Sequence, residues 1–247
     1  MSDKLIWNIL ATKEAVFKLH GKSQMLMVAQ SLDSVVQRRD FAHFHYHEAM
    51  DRWKIHLDDL KNEHPIEIVF RSDNEDVDDE RAGRMHEVAA HVHACIHSLH
   101  TIPDIMAHAV YYGIGLNLPT ALRERDITAK KVARILMADL SLSKLSNIFQ
   151  SIYTFGDFAY IDALNNHGKH RSIIRPATWF DLTGKTSIPI TLEFSEFNYS
   201  GAVYRRREIQ EVINSEYDRI AKAIVDCGIE LLAVLQERLV KCPESAS

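Results

Sequence analysis

The sequence predicts a mainly α protein: a helical bundle of long antiparallel helices with a small β-hairpin appendage near residues 171–204. Three observations predict it. Glycine and proline are scarce, 9 and 6 among 247 residues, which favours long regular elements over a loop-rich all-β fold. Apolar residues recur at helical spacing through most of the chain. Only after His170 does the period change, where β-branched and aromatic residues take over.

In chain order, the glycine of "LHGKSQ" separates a helix at about 4–19 from a longer one at about 22–62. "PIEIVF" (65–70) is short, β-branched and apolar, and reads as an isolated strand. The acidic run "SDNEDVDDE" (72–80) reads as a solvated loop, spanning about 71–80. A helix follows from Asp79 to His100, where Pro103 imposes a kink or restart, and its second part ends at the glycines of "YYGIGLNLP". "DITAKKVARILMADL" opens with Asp126 or Thr128 as N-cap. "SLSKLSNIFQSIYTF" and "DFAYIDALNNHG" continue the helical pattern, with Gly156 between them. "SIIRPATWFDLTG" and "PITLEFSEFNYSG", separated by "GKTS", read as the hairpin. The last long helix is interrupted only by Gly228, and "PESAS" is a frayed tail.

Residues 1–247 read as one helical domain, and 46% apolar with 26% charged residues is ordinary for a soluble globular chain. Cys95, Cys227 and Cys242 lack any CxxC spacing, so neither a disulfide framework nor a cysteine-based zinc site is expected. Charges come too early for a secretory leader, and the most apolar window, Ala107 to Leu118, is too short to span a bilayer. These features predict a cytoplasmic protein without membrane contact. A net charge of −5 argues against non-specific nucleic-acid binding. Cations nevertheless gather at Lys169, Arg171 and Arg175 and at Arg205, Arg206 and Arg207.

Three groups of residues carry candidate chemistry. In "ALNNHGKHRSIIRP" (163–176), helical spacing puts Asp162, Asn166 and His170 on one face, bordered by Lys169. Such a cluster suits a phosphate: His170 and Asn166 with Lys169 form a candidate catalytic set, and Arg171, Arg175, Arg205 and Arg206 a candidate phosphate-binding set. The same residues also read as a helix C-cap, with cations complementing the dipole, Gly168 ending the helix and asparagines satisfying carbonyls. In "MHEVAAHVHACIHSLH", His86, His93, His97 and His100 share a stripe opposite Val88, Val92, Ile96 and Leu99. That stripe reads as a solvated or partner-facing surface, as metal ligands, or, for His93, His97 and His100, as the wall of a cleft. In "FHYHE", His43 and His47 share a helical face and read as a structural pair beside Phe44 and Tyr46. With neither Glu-x-x-His nor HExxH present, no metal is assigned, and no nucleotide or phosphate loop motif calls for a cofactor.

A mainly helical chain with a polar "NNHGKH" beside a helix end resembles bacterial HEPN-type proteins, many of which act in toxin and phage-defence systems. The resemblance implies a helical bundle, usually a dimer, that cleaves RNA without metal through an arginine and a histidine four to six residues later. By that resemblance His170 takes the histidine's place, Asn166 or Asn165 stands where the arginine is expected, and Lys169 and Arg171 are the nearby cations. The expected function is a metal-independent ribonuclease or nucleic-acid-binding protein. The alternative is a non-catalytic interaction module, a homodimer that binds a protein partner or a small ligand.

Overall fold

The computed structural model describes residues 6–61, 75–181 and 190–241. The mainly α class is borne out: the described residues are 76% helical, with a small antiparallel β part. Its helices are α1 (Ile9–Lys61), α2 (Glu75–Gly113), α3 (Ala129–Met137), α4 (Ser143–Thr154), α5 (Phe158–His170) and α6 (Ile209–Lys241). The strands are β1 (Pro176–Phe180), β2 (Ile190–Phe194), β3 (Phe197–Tyr199), β4 (Ala202–Tyr204) and β5 (Arg207–Glu208). The strand expected at 65–70, residues 72–74 of the acidic run, the "GKTS" turn, Cys242 and the "PESAS" tail lie outside the described residues.

Gly21 breaks α1 where the sequence reading put the boundary: its φ of 83° is in the left-handed region that favours glycine. Two expectations for α2 are corrected. It begins at Glu75, so the second half of the acidic run is helical, as suits acidic residue types in a helix's first turn. It also runs through Pro103 without a restart. Leu99, Ile102, Met106 and Ala107 are fully buried on either side, and their packing holds the helix across the missing N–H. Thr128 caps α3 as expected, its side chain accepting from the Lys131 N–H. Gly156, at φ 65°, separates α4 from α5.

The expected hairpin exists but is only part of the β region. β1 and β2 pair antiparallel from Pro176↔Phe194 to Phe180↔Ile190, and β5 adds to the far edge of β2. The run read as one second strand is cut in two. β3 turns back on β4 through Ser200 and Gly201, both at positive φ, a two-residue turn that matches strand twist.

The described residues group into two compact units, to both of which α1, α2 and α6 contribute. Unit 1 takes 1–39, 101–159 and 218–247. Its core includes Val16, Leu32, Met106, Tyr111, Leu136, Phe149 and Leu231. Buried amides there are paired, Gln24 donating to the Tyr112 carbonyl at 2.6 Å and Asn117 donating back to Gln24 at 3.1 Å. Arg219 donates to the Ile152 carbonyl at 2.9 Å and so closes the C-terminal end of α4. Unit 2 takes 40–100 and 160–217. Its core includes Trp53, Val88, Val92, Ile96, Leu99, Leu164, Phe194 and Phe197.

Gly228 does not interrupt α6; it admits Trp7. A Cβ at this position would lie 2.0 Å from the indole ring, whose Nε1 donates to Thr12 Oγ1 at 2.9 Å. Gly228→Ala should therefore lower the unfolding free energy by about 1–3 kcal/mol, the usual cost of overpacking. The control is Gly83→Ala in α2, where the added methyl meets nothing within 4 Å. That change should stabilise by about 0.5–1 kcal/mol. Urea titration checks both.

Candidate functional site

The predicted apolar face of α2 is buried as expected, since Val88, Val92, Ile96 and Leu99 are each at most 1% exposed. Of the opposite histidine stripe, His86 is exposed, while His93, His97 and His100 are engaged with neighbouring groups. His93 Nε2 donates to the Ile174 carbonyl at 2.9 Å. A carbonyl only accepts, so this contact fixes the neutral tautomer with the proton on Nε2. His97 Nδ1 meets Asn165 Oδ1 at 3.2 Å, and His100 Nε2 meets Asp162 Oδ1 at 2.8 Å. The stripe is thus a polar seam joining α2 to α5 and to the segment after it. Among the described residues, no group of three or more His, Cys, Asp or Glu side chains is arranged to hold a metal ion.

The "NNHGKH" segment divides its labour in a way the spacing did not reveal. Asn166 donates to Asp162 Oδ1 at 2.9 Å, one turn back on α5. Asn165, on the other face, is buried against His97. His167 does the capping: its Nδ1 donates to the Ser172 carbonyl at 2.5 Å, while its own carbonyl accepts from the N–H groups of Arg171 and Ser172. Gly168 stays inside the helix, which ends at His170 instead. His167 also places its ring edge against Phe197, at a centroid separation of 5.7 Å. Phe197 stacks on Tyr204 at 4.9 Å and meets Tyr160 edge-on at 5.7 Å, so an aromatic cluster seats the strands on α5.

The candidate catalytic residues are dispersed. His170 and Lys169 are exposed at the end of α5, and Asn166 is half-buried and engaged with Asp162. The four candidate phosphate ligands also take separate roles. Arg206 pairs with Glu193 at 2.8 Å and lies 4.3 Å above the Trp179 ring. Arg171 reaches the Asn198 carbonyl only at 3.5 Å. Arg205 and Arg175 are exposed, and neither guanidinium has a hydrogen-bond or ion-pair partner among the described residues, although the Arg205 carbonyl accepts from the Tyr160 hydroxyl at 3.2 Å.

Two cavities do form in unit 2, and they single out different residues. The larger holds about 710 Å³ and is walled by Ala82, Met85, His86, Ala89, Ala90 and His93 of α2 on one side. Ser172, Ile173, Arg175 and Pro176 close the other side. Positions 82, 86, 89 and 93 are one helical face, and the alanines on it leave open the space a longer side chain would fill. A smaller cavity of about 180 Å³ is lined by His93, Ile96, Leu164, Asn165, Gly168, Lys169 and Ile173. Of the three histidines expected to line a cleft, His93 lines both cavities, while His97 and His100 are spent on the α5 seam. Sequence reasoning missed the alanine face and named Asn165 only as an alternative to Asn166. A legible signal for the first was the recurrence of small residues at 82, 89 and 90 beside histidines at 86 and 93.

Outside the cavities, His43 and His47 pair as expected, with Nε2 atoms 3.1 Å apart, and His45 reaches across to His91 at 3.0 Å. Burial pushes the His93 imidazole below its ordinary range, opposed in part by its bond to Ile174. The charged form is therefore easier to reach in the unfolded chain. Stability from this group is complete above the unfolded value of 6.5 and is lost as pH falls from there toward the folded value. His93→Gln keeps a donor for Ile174 but cannot titrate, so its urea midpoint should fall less than that of the wild type between pH 7.5 and 5.5. No protein-family model, curated protein or solved structure matches this chain, so any functional reading rests on the geometry above.

Proposed function

We propose that the protein is a non-catalytic binding protein for a small amphipathic anion, taken up in the 710 Å³ cavity of unit 2. The cavity carries the reading: an apolar wall beside a guanidinium that has no partner among the described residues. Its size falls within the roughly 300–1,000 Å³ typical of small-ligand sites. Ala82, Met85, Ala89, Ala90, Ile173 and Pro176 offer the apolar surface for a hydrophobic body. Arg175 supplies positive charge next to that surface, and Ser172, His86 and His93 add polar contacts. His93 is held in place by Ile174 and stays neutral at physiological pH, a role of shape and hydrogen bonding and not of proton transfer. The exposed position of His170 favours this reading over the ribonuclease expected from the HEPN-type resemblance, because a general base needs a fixed orientation.

The amphipathic dye 1-anilinonaphthalene-8-sulfonate should bind the wild type with one-to-one stoichiometry by calorimetry. Ala89→Phe, which fills the cavity from the α2 side, should abolish that binding while leaving the thermal melt in place. Equal binding by both proteins would remove the cavity from consideration. Metal-free degradation of total RNA that disappears in His170→Ala would replace this reading with the catalytic one.

A further inference from the structure

The geometry points to the smaller cavity as the seat of the ligand's acid group, which makes the ligand class a monocarboxylate with an apolar tail. This rests on the binding role of the larger cavity and adds where its ligand's charge goes. Asn165 is 7% exposed, yet its Nδ2 has no hydrogen-bond partner among the described residues, while its Oδ1 is occupied by His97. If the amide is turned the other way, the end facing His97 donates and the oxygen is orphaned instead; either way one polar end of a buried side chain is left over. A buried donor without an acceptor is costly in a folded protein, and this one belongs to a residue in the wall of a cavity that can admit an acceptor. Lys169 stands four residues on, along the same face of α5, and lines the same cavity without a hydrogen-bond or ion-pair partner among the described residues. One amide donor and one ammonium, with no acidic side chain in the wall, suit a single negative charge with two oxygens. A carboxylate meets that description.

The tail then has a place to go. His93 and Ile173 stand in the walls of both cavities, so a chain passing them would reach the apolar face of α2. Gly168 keeps the smaller cavity roomy, since a Cβ there would meet no atom within 4 Å and would take up free volume. Arg175 is the rival seat for the acid, but it is exposed and can satisfy its charge in water. The Asn165 donor has no such recourse, so it gains more from a bound oxygen.

Calorimetry with decanoate and decan-1-ol on the full-length protein separates the two levels of the argument. Decan-1-ol reports the apolar cavity alone. The wild type should prefer decanoate by about tenfold or more, the worth of one charge-assisted hydrogen bond. Asn165→Leu and Lys169→Met should each bring decanoate down to the affinity of decan-1-ol without changing the latter. Lys169 is exposed, so its variant keeps the test open if loss of the His97 contact unfolds Asn165→Leu. Equal affinity for acid and alcohol in the wild type overturns the carboxylate seat and leaves the larger cavity's role standing. So does a preference that vanishes in Arg175→Leu but survives in Lys169→Met. Failure of both compounds to bind overturns both.

Discussion

Unit 2 depends on the polar seam between α2 and α5. An amphipathic helix ordinarily buries one face and wets the other. Here the second face of α2 is also covered from His93 to His100, and the covering works because these three histidines each find a partner. His93 takes the Ile174 carbonyl, His97 takes Asn165 and His100 takes Asp162. Asp162 in turn holds Asn166, so a single carboxylate fixes one residue on each of two elements. Histidine suits this role because its ring brings apolar bulk together with one donor and one acceptor, and neutrality makes partial burial affordable.

That seam explains how much of the site could be read from residues alone. Periodicity is a statement about faces, and it assigned the faces of α2 correctly: Val88, Val92, Ile96 and Leu99 inside, the histidines opposite. It says nothing of what will lie against the second face. Asn165, Asn166 and His167 are consecutive, so on a helix they point three ways, and their separate partners on α2, α5 and the following segment follow from packing and not from spacing. The cation-rich look of "KHRSIIR" came from residues that are adjacent in the chain but take different places: Lys169 lines the smaller cavity, Arg175 the larger, and Arg171 reaches Asn198. The β region shows the same limit. The switch to β-branched and aromatic residues located it correctly, whereas the break at Ser195–Glu196, which cuts the second run into β2 and β3, was hidden within a single apolar run.

A void is harder still to read, because it is made by what side chains leave out. The alanines at 82, 89 and 90 look like ordinary helix formers in sequence. They become a wall only because the segment from Ser172 to Pro176 is anchored at a distance from them. The anchor is double: His167 grips the Ser172 carbonyl and His93 grips that of Ile174. Residues 172–176 are thereby held by their backbone, and their side chains are released to line the opening. Pro176, which has no N–H to satisfy, then begins β1 without a penalty.

The histidines as a set add a constraint on when this arrangement holds. Burial lowers His20, His45, His56 and His108 as well as His93, so several imidazoles that are neutral when folded become protonated more readily once unfolded. The His45–His91 contact sharpens the point, because two ring nitrogens 3.0 Å apart share one proton and repel when both rings are charged. Glu48 offsets part of that repulsion at His45, but its carboxylate is also held by Arg52. Unit 2 therefore combines a neutral imidazole at His93 with cavities that offer Lys169 and Arg175 as positive charges. The two demands are compatible only because lysine and arginine keep their protons across the range in which histidine gives its proton up. The positive potential offered to an anion thus comes from Lys169 and Arg175, residues outside the seam.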